Sequence, residues 1–512
     1  MSYNSLTFLI LLLVCVGLYF CSVRSWQRQA ILLAASIIFY LSAGGIKMML
    51  SVLVSSAAVY ILSRKIASIY EAYDQEKNKL APKEQVKLFA EYKKKTLKYV
   101  WIGFFILLGS LVYVKIGKLL KSNILVPLGI SYYTFSSIGY LLDIYWKKAE
   151  AEKNYFRVLL SMIYFPHIVQ GPISRYDDLR KQFEQIQPFC YSRLCSGMQR
   201  MMWGYFKKMV VADRIALYTS NIFAAPELYM GVEIAIAVFL GAFELYADFS
   251  GCMDIVLGAS EVFGINLEEN FRQPFFSESA SEFWRRWHIT LGAWFKNYVY
   301  MPTAMNPKFM KFCGQIRKRY GQRAGQIISM AVPTMLVWLL TGLWHGTGLD
   351  YVVWGLYWGI IIVLSAAFLP ELKKLNTKLH ITVESNIFKS YQKARTFLLF
   401  CIGRMLTVTG SLTGFLIMVK QLFKHHKLWV LFDGSIFQHG LDEKDFFVVI
   451  LGILMIIAVD VLHEKKESVR NIIAAQPILI RWSLYYIGFA AVIILGIYGA
   501  GFNPSDFIYG GF

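Results

Sequence analysis

The stretch that decides the fold is residues 327–344, IISMAVPTMLVWLLTGLW, and His345 follows it directly. These 18 residues carry no charged side chain, and as a helix they are long enough to cross most of the hydrocarbon core of a bilayer. An ionisable side chain at the end of such a segment is costly to place near hydrocarbon. The stretch therefore predicts a membrane protein, and it makes His345 the first candidate for chemistry.

The remainder of the chain has the same apolar character. Of its 512 residues, 56% are hydrophobic and 17% are charged, far from the balance of a soluble domain. We predict an all-α polytopic membrane protein with roughly 11 or 12 spanning helices. The first span has no Lys or Arg before it and no small-residue cleavage site after it, so we expect a retained helix. The predicted spans are 6–23, 30–43, 48–62, 100–114, 125–145, 156–169, 232–246, 327–344, 351–369, 396–418, 446–461 and 482–498.

Most of the positive charge lies in loops. The net charge is +20, and ten Lys or Arg residues fall in 64–98, six in 306–325 and six in 370–395. Such loops are typical of the cytoplasmic side, where they also favour anionic lipid headgroups. The resulting topology predicts that both termini lie outside. No nucleic-acid recognition module accompanies the charge, so binding to nucleic acid is not expected.

Residues 170–300 mix short apolar runs with Arg, Asp and Glu at a density that a lipid-facing helix does not tolerate. We expect re-entrant or interfacial helices packed inside protein there. Within this region, residues 198–220 are amphipathic enough to lie along a membrane surface.

A second histidine, His288, lies in SEFWRRWHIT at residues 281–290. Ser279 and Glu282 form a capping-box pattern, so we predict a helix from Ser279 towards Tyr298. Either a functional site or an aromatic and Arg anchor at the membrane interface fits this pattern. At helical spacing, one face carries Trp284, Trp287, His288, Leu291, Trp294 and Phe295, whereas Arg285 and Arg286 fall elsewhere.

The setting of His345 differs, because Gly342 and Gly346 flank the Trp344–His345 pair. Glycines at these positions allow close backbone approach or the end of a helix. Burial away from other charges disfavours the imidazolium and leaves a neutral ring that can take a proton from a hydroxyl. A core histidine with satisfied hydrogen bonds is the alternative interpretation.

Two carboxylates, Asp248 and Asp254, bracket the sequence FSG. We favour ion pairs with Arg285 or Arg286 over orientation of a sugar hydroxyl, because unpaired charge at membrane depth is costly. No His or carboxylate cluster has the spacing of metal ligands, so no metal is expected. The seven scattered cysteines lack C-x-x-C spacing, which argues against a disulfide framework or a zinc site.

Four motifs occur in a specific order: ADFSGCMD at 247–254, ENF at 269–271, EFWRRWHITL at 282–291 and GLWHG at 342–346. Together they resemble the membrane-bound O-acyltransferase family. PLGISYYTF at 127–135 and FPHIVQGPI at 165–173 are similar to its bacterial branch, which includes alginate O-acetyltransferases and teichoic-acid D-alanyltransferases. The likeness covers most of residues 120–370, and DFIY at 506–509 extends it; further helices are expected in 1–119 and 396–512.

The resemblance implies one integral-membrane acyltransferase domain over 1–512, in which helices form a funnel around a central catalytic histidine. The family's essential histidine corresponds to His345 and its second one to His288. A cytoplasmic acyl thioester, either acetyl-CoA or an acyl carrier protein, would meet an acceptor from outside a bacterial cell membrane, without a bound cofactor. Residues expected to line the wall or contact substrate are Trp284, Trp287, Arg285, Arg286, Asp248, Ser250, Asn270 and Trp344.

Departures from the family pattern leave the acceptor open. Alginate-type sequences carry an aromatic residue where Ala247 stands and a Tyr where Cys252 stands, and His167 replaces a more usual Gln. After the histidine, TGLD at 347–350 replaces a more aromatic stretch.

We expect transfer of an acyl group, with acetyl favoured, to a hydroxyl of an extracellular or cell-wall polysaccharide. His345 would be the general base, and His288 or the indoles of Trp284 and Trp287 would stabilise the oxyanion. Direct transfer, an acyl-histidine intermediate and relay to an extracellular partner of the SGNH esterase type are all open. The alternatives are D-alanyl transfer from a carrier protein to teichoic acid, and a transporter, which the lack of paired internal repeats disfavours.

Overall fold

The protein's structure, a computed structural model, describes residues 1–120, 126–424 and 428–498. Over these residues the chain is mostly helical, and its one extended pairing is an isolated antiparallel bridge between Phe271 and Trp287. The prediction of an all-α polytopic membrane protein is confirmed. The C-terminal end, predicted to lie outside the membrane and to carry the 506–509 motif, falls beyond the described residues, as does the start of the predicted span 125–145.

The α-helices follow one another along the whole described chain. They are α1 (Leu6–Cys21), α2 (Ser25–Lys77), α3 (Pro82–Leu119), α4 (Ile130–Tyr145), α5 (Tyr155–Ile163), α6 (Tyr176–Glu184), α7 (Tyr191–Tyr205), α8 (Asp213–Ala224), α9 (Gly231–Glu261), α10 (Ala280–Arg286), α11 (Ile289–Phe295), α12 (Met301–Ala304), α13 (Pro307–Tyr320), α14 (Gln322–His345), α15 (Leu349–Ala367), α16 (Leu369–Lys378), α17 (Asn386–Val408), α18 (Leu412–Lys424), α19 (Glu443–Glu464), α20 (Val469–Ala474) and α21 (Ile478–Leu495). Two π-helical segments, Phe206–Ala212 and Lys296–Tyr300, continue α7 and α11. Short 3-10 turns lie at Pro226–Leu228, Pro274–Phe276, Leu428–Leu431 and Ser435–Gln438.

Six of the described helices, α2, α3, α14, α15, α19 and α21, are long and apolar enough to cross a membrane. This number is lower than the 11 or 12 spans predicted. Several predicted spans form shorter helices: 6–23 becomes the 16-residue α1, and 156–169 contains most of the nine-residue α5. The apolar run 396–418 is divided between α17 and α18, because the chain turns at Gly410 with φ of 62°.

Helix α2 joins two of the predicted spans, 30–43 and 48–62. Its backbone is broken at Gly45, where φ is 72° and ψ is 178°. A residue with a side chain would be strained in this region of conformational space, so glycine is required. The break therefore falls where the sequence predicts a division between two helices.

The chain divides into two compact units. The first comprises residues 1–201 and 255–268, and the second comprises 202–254 and 269–498. The single acyltransferase domain and the funnel implied by the sequence stay predictions.

Glycine contacts hold helices close together in each unit. In the first unit, α7 and α9 meet at Gly197 and Gly258, where a Cβ on Gly258 would lie 2.5 Å from the Gly197 carbonyl oxygen. In the second unit, α14 and α15 form a hairpin whose helices touch at Gly342 and Gly355. A Cβ on Gly355 would lie 2.4 Å from the Trp338 carbonyl oxygen, so the two backbones could not approach this closely with larger residues.

Candidate active site

The helix predicted from Ser279 towards Tyr298 is broken at His288. The predicted start is confirmed, since the Ser279 side chain accepts a hydrogen bond from the Glu282 backbone N–H at 3.2 Å. However, α10 ends at Arg286, and His288 has φ of 48° and ψ of 53°, the left-handed conformation, before α11 begins. The shared helical face inferred from the spacing therefore does not exist.

A neighbouring segment causes this break. The Arg272 N–H donates to the Arg286 carbonyl at 2.9 Å, and the Ile289 N–H donates to the Asn270 carbonyl at 3.0 Å. A continuous helix would use both the Arg286 carbonyl and the Ile289 N–H internally. Because residues 270–272 take these groups instead, the chain turns and presents His288 between two short helices.

His288 is buried, with 3% of its surface exposed. Its Nδ1 lies 3.2 Å from Oδ1 of Asn270, and its Nε2 has no hydrogen-bond partner among the described residues. The ring packs edge-on against Phe249, with ring centroids 4.9 Å apart. Burial lowers the pKa of His288 to about 3, so the ring is neutral near pH 7.

Asn270 is the polar centre of this arrangement and is 1% exposed. Besides the His288 contact, its Oδ1 accepts from the Thr290 N–H at 3.1 Å and from the Thr290 hydroxyl at 3.0 Å. Its Nδ2 lies 3.3 Å from Sδ of Met253. The amide is thus held in one orientation from both ends.

His345 is the last residue of α14 and is also buried, at 7% exposed. The Gly346 N–H closes the helix on the Gly342 carbonyl at 3.1 Å. A Cβ on Gly342 would lie 2.4 Å from the Tyr351 carbonyl oxygen, and one on Gly346 would lie 2.0 Å from the Tyr351 ring. The predicted role of these two glycines, close approach at a helix end, is confirmed.

Trp344 brings the two histidines into one cluster. Its ring centroid lies 4.6 Å from that of His345 and 5.9 Å from that of His288. Trp354 covers His345 from another side, at 5.0 Å. We call these four residues the histidine cluster.

Trp284 and Trp287, the two indoles predicted to stabilise the oxyanion, occupy different surroundings. Trp284 packs against Trp354 at 5.7 Å, and its Nε1 is buried without a hydrogen-bond partner in the described part of the chain. Trp287 stacks on Phe283 at 5.6 Å and contacts Phe400 at 5.1 Å. Trp284 therefore contacts Trp354 of the histidine cluster directly, whereas Trp287 is linked to His288 through the ring of Phe249.

Asp248 and Ser250 lie on either side of Phe249 on α9 and bind two lysines. Lys208 Nζ is 2.7 Å from an Asp248 oxygen, and Lys207 Nζ donates to the Ser250 hydroxyl at 2.8 Å. Lys207 also pairs with Asp254 at 2.6 Å, and Lys208 with Asp213 at 2.7 Å. These contacts fix the helix that carries Phe249 against His288.

Both lysines are buried, although the amphipathic pattern of 198–220 predicts a helix on the membrane surface. The π-helical segment Phe206–Ala212 turns both consecutive side chains inward. Burial alone would lower the pKa of Lys208, but the carboxylates of Asp248 and Asp213 raise it, so the ammonium stays charged. The sequence feature that indicates this burial is the Lys pair inside the apolar run YFKKMVV, because buried ammonium groups require carboxylate partners.

The predicted pairing of Asp248 and Asp254 with arginines is wrong. Arg286 binds Glu282 at 2.7 Å and also binds Glu464 closely. Arg285 is exposed and lies outside the histidine cluster. The break after α10 directs these arginines elsewhere, and the lysines supply the charge that the aspartates need.

Several site residues are not evident from the sequence. Phe249, Thr290 and Trp354 contact His288, Asn270 and His345, respectively, through the tertiary fold. Over the described ranges, no group of three His, Cys, Asp or Glu side chains could hold a metal ion. For chemistry, the arrangement offers a neutral imidazole and buried indole N–H groups, which aromatic side chains enclose.

Comparison with known proteins gives a consistent picture. Residues 154–313 match the model of the membrane-bound O-acyltransferase family. The chain is 33% identical over 286 residues to a probable alginate O-acetylase of Pseudomonas syringae, an alignment covering 55% of this chain and 49% of that protein.

Two relatives of lower identity are named for acceptors other than alginate. The chain is 28% identical to a peptidoglycan O-acetyltransferase of Helicobacter pylori, covering 50% of each chain. It is 27% identical to a teichoic acid D-alanyltransferase of Bacillus subtilis, covering 47% of this chain and 59% of that protein. The alignments thus span about half the length of these curated relatives. The family match includes His288 and ends at residue 313, before His345.

Proposed function

We propose that the chain transfers an acyl group, preferably acetyl, from a thioester to a polysaccharide hydroxyl, because residues 154–313 match the model of the membrane-bound O-acyltransferase family. The observation that carries this proposal is the contact of Trp344 with the rings of both His288 and His345. Both imidazoles are buried in one aromatic cluster, where a base is shielded from bulk water.

In the proposed reaction, His345 removes the proton from the acceptor hydroxyl as its oxygen attacks the thioester carbonyl. The new carbon–oxygen bond gives a tetrahedral oxyanion, which collapses as the carbon–sulfur bond breaks. The histidine returns its proton to the departing thiolate, so the products are an ester and a free thiol. The buried Nε1–H of Trp284, which has no partner in the described part of the chain, is a suitable donor to the oxyanion.

The donor enters from the cytoplasm and the acceptor from outside a bacterial cell membrane in this proposal. The basic segments 64–98, 306–325 and 370–395, which are mostly helical, support a cytoplasmic assignment for these parts of the chain. Acetyl-CoA is the preferred donor, because the relative with 33% identity is named an alginate O-acetylase. The acetyl group reaches the polymer directly or through an SGNH-type extracellular partner.

Labelled acetyl-CoA added to membranes containing the full chain tests this proposal. We expect label in a polysaccharide fraction with wild-type protein and a loss of label with His345→Asn. His380→Asn is the matched control, since His380 is exposed and has the positive φ that Asn tolerates. Equal labelling by wild type and His345→Asn would contradict the proposal.

D-alanyl transfer to teichoic acid is the second candidate, favoured by the similarity to the Bacillus subtilis enzyme. A parallel reaction with a labelled D-alanyl carrier protein distinguishes it, because only one donor should support His345-dependent labelling. Passage of substrate across the membrane without covalent transfer, unaffected by His345→Asn, would instead indicate a transporter.

A further inference from the structure

The orientation of the Asn270 side chain is determined by its surroundings. The Thr290 backbone N–H lies 3.1 Å from the terminal atom of this amide. A backbone N–H can only donate, so the atom that faces it must be the amide oxygen and not the nitrogen. The Asn270 Nδ2 group then faces Met253 Sδ, a weak acceptor, at 3.3 Å. The contacts at both ends of the amide therefore support the same assignment of its oxygen and nitrogen atoms.

This orientation determines the tautomer of His288. The same Asn270 oxygen lies 3.2 Å from His288 Nδ1. Because an amide oxygen cannot donate, a hydrogen bond between the two atoms requires the proton on Nδ1. In a neutral imidazole the other nitrogen then carries the lone pair. Burial lowers the pKa of His288, which favours this neutral form over the doubly protonated one.

The remaining nitrogen of His288 is placed to accept a hydrogen bond. Nε2 is buried and has no hydrogen-bond partner among the described residues. An unsatisfied buried acceptor destabilises the folded protein, and a ligand hydroxyl that donates to Nε2 would remove this cost. The ring is also held laterally by Phe249 at 4.9 Å and Trp344 at 5.9 Å, so Nε2 keeps one direction.

We propose that Asn270 is a positioning residue that holds His288 as the Nδ1–H tautomer, so that Nε2 accepts a hydrogen bond from a neighbouring hydroxyl of the acceptor or from a bound water. This inference rests on the proposed acyl transfer. It assigns Asn270 a role behind the imidazole and not in contact with substrate. It also removes neutral His288 from the candidate oxyanion donors, because Nε2 has no proton to donate, and leaves the Trp284 indole in that role.

Nitrogen NMR of the full chain labelled with 15N-histidine tests the tautomer without reference to activity. The protein has eight histidines, so the His288 signals are identified by their loss in His288→Asn. We expect a protonated Nδ1 and an unprotonated Nε2 for His288 in the wild-type protein. We expect Asn270→Ala to shift His288 to the Nε2–H form or to a mixture, since the acceptor for Nδ1–H is gone. A wild-type His288 protonated at Nε2, or a tautomer unchanged in Asn270→Ala, would overturn the inference.

Kinetics separate positioning from simple structural support. We expect Asn270→Ala to lower kcat by about 10- to 100-fold with little change in KM, because the His288 imidazole is present but carries a proton on Nε2 in place of the lone pair that orients the acceptor. Asn270→Asp keeps an oxygen that accepts from Nδ1–H, so it should keep the tautomer and restore activity to within about 10-fold of wild type. Should the Ala variant fail to fold, an Asp variant with His288 protonated at Nε2 alone would still overturn the inference.

Control variants distinguish this inference from the proposed function. Asn221→Ala removes an exposed amide that bonds the His439 carbonyl at 3.2 Å, and it should change neither tautomer nor kcat. Absence of acyl transfer by the wild-type protein would refute the proposed function, and acyl transfer that survives His288→Asn and His345→Asn would refute the role of the two histidines in it, whatever the tautomer. Acyl transfer that needs both histidines but is unchanged in Asn270→Ala would refute only the positioning role.

Discussion

The two histidines occupy structurally different regions of the second unit. His345 ends a regular helix whose hairpin partner, α15, approaches through glycines, whereas His288 lies in a break between two seven-residue helices. The first position depends on the local sequence, an apolar run followed by glycine. The second depends on residues 270–272, which bond across the break. Side chains of similar chemistry are thus held by local forces in one case and by tertiary contacts in the other.

The largest expected effect is that of His345→Asn. The substitution removes the proposed base and keeps a polar side chain of smaller size at the end of α14. We expect acyl transfer to fall by about 1,000-fold or more, within the range for general-base catalysis. Rates of label incorporation at saturating donor measure this effect, and a fall of less than about 10-fold would exclude His345 as the base.

His288→Asn should have a smaller effect on the same reaction. Asn tolerates the left-handed backbone found at this position, so the variant isolates the loss of the imidazole. We expect a fall in kcat of about 100-fold, with the folded structure retained. A thermal melting curve checks the fold, and wild-type kcat in a folded variant would assign His288 to packing alone.

The hairpin itself can be tested by adding one methyl group. Gly342→Ala places a Cβ where the Tyr351 carbonyl lies 2.4 Å away, so α14 and α15 must separate near His345. We expect a loss of about 1–3 kcal/mol in the free energy of unfolding, together with lower activity. Gly292→Ala in α11 is the control, because its Cβ would meet no atom closer than 3.8 Å. Equal stability of the two variants would contradict the close contact in the hairpin.

The smallest expected effect concerns acid stability. Burial lowers the pKa of His288 to about 3 from an ordinary value of 6.5, so the unfolded chain binds this proton more readily than the folded one. The contribution of neutral His288 to the free energy of unfolding is fully present above pH 6.5, and it is lost progressively as the pH falls towards 3. We expect the melting temperature of wild type to fall more steeply over this window than that of His288→Asn. Parallel curves would show that the folded pKa of His288 is not lowered.

Sequence patterns predict the regular parts of this molecule well. The uncharged run 327–344 lies within α14, and 351–369 corresponds closely to α15, because hydrophobic runs of this length form helices whatever they pack against. The end of α14 at His345 also follows from its flanking glycines. These features need information only from neighbouring residues.

The irregular parts could not be predicted in the same way. A capping box correctly marks the start of α10. The sequence around His288, however, does not predict that residues 270–272 will form hydrogen bonds with the backbone groups of Arg286 and Ile289. Likewise, Asp248 and Asp254 pair with Lys208 and Lys207, respectively, which a π-helical segment brings inward. The assignment of Arg285 or Arg286 to these aspartates failed because the sequence does not reveal which cations the tertiary fold brings next to them.

The central claim is that His288 and His345 act in one site, and a double-mutant cycle tests it most directly. Acyl transfer is measured for wild type, His288→Asn, His345→Asn and the double variant under identical conditions. If both imidazoles serve the same step, the double variant should be no more than a few-fold slower than His345→Asn alone. Independent, multiplicative losses, with the double variant about 100-fold slower than His345→Asn, would contradict a shared site.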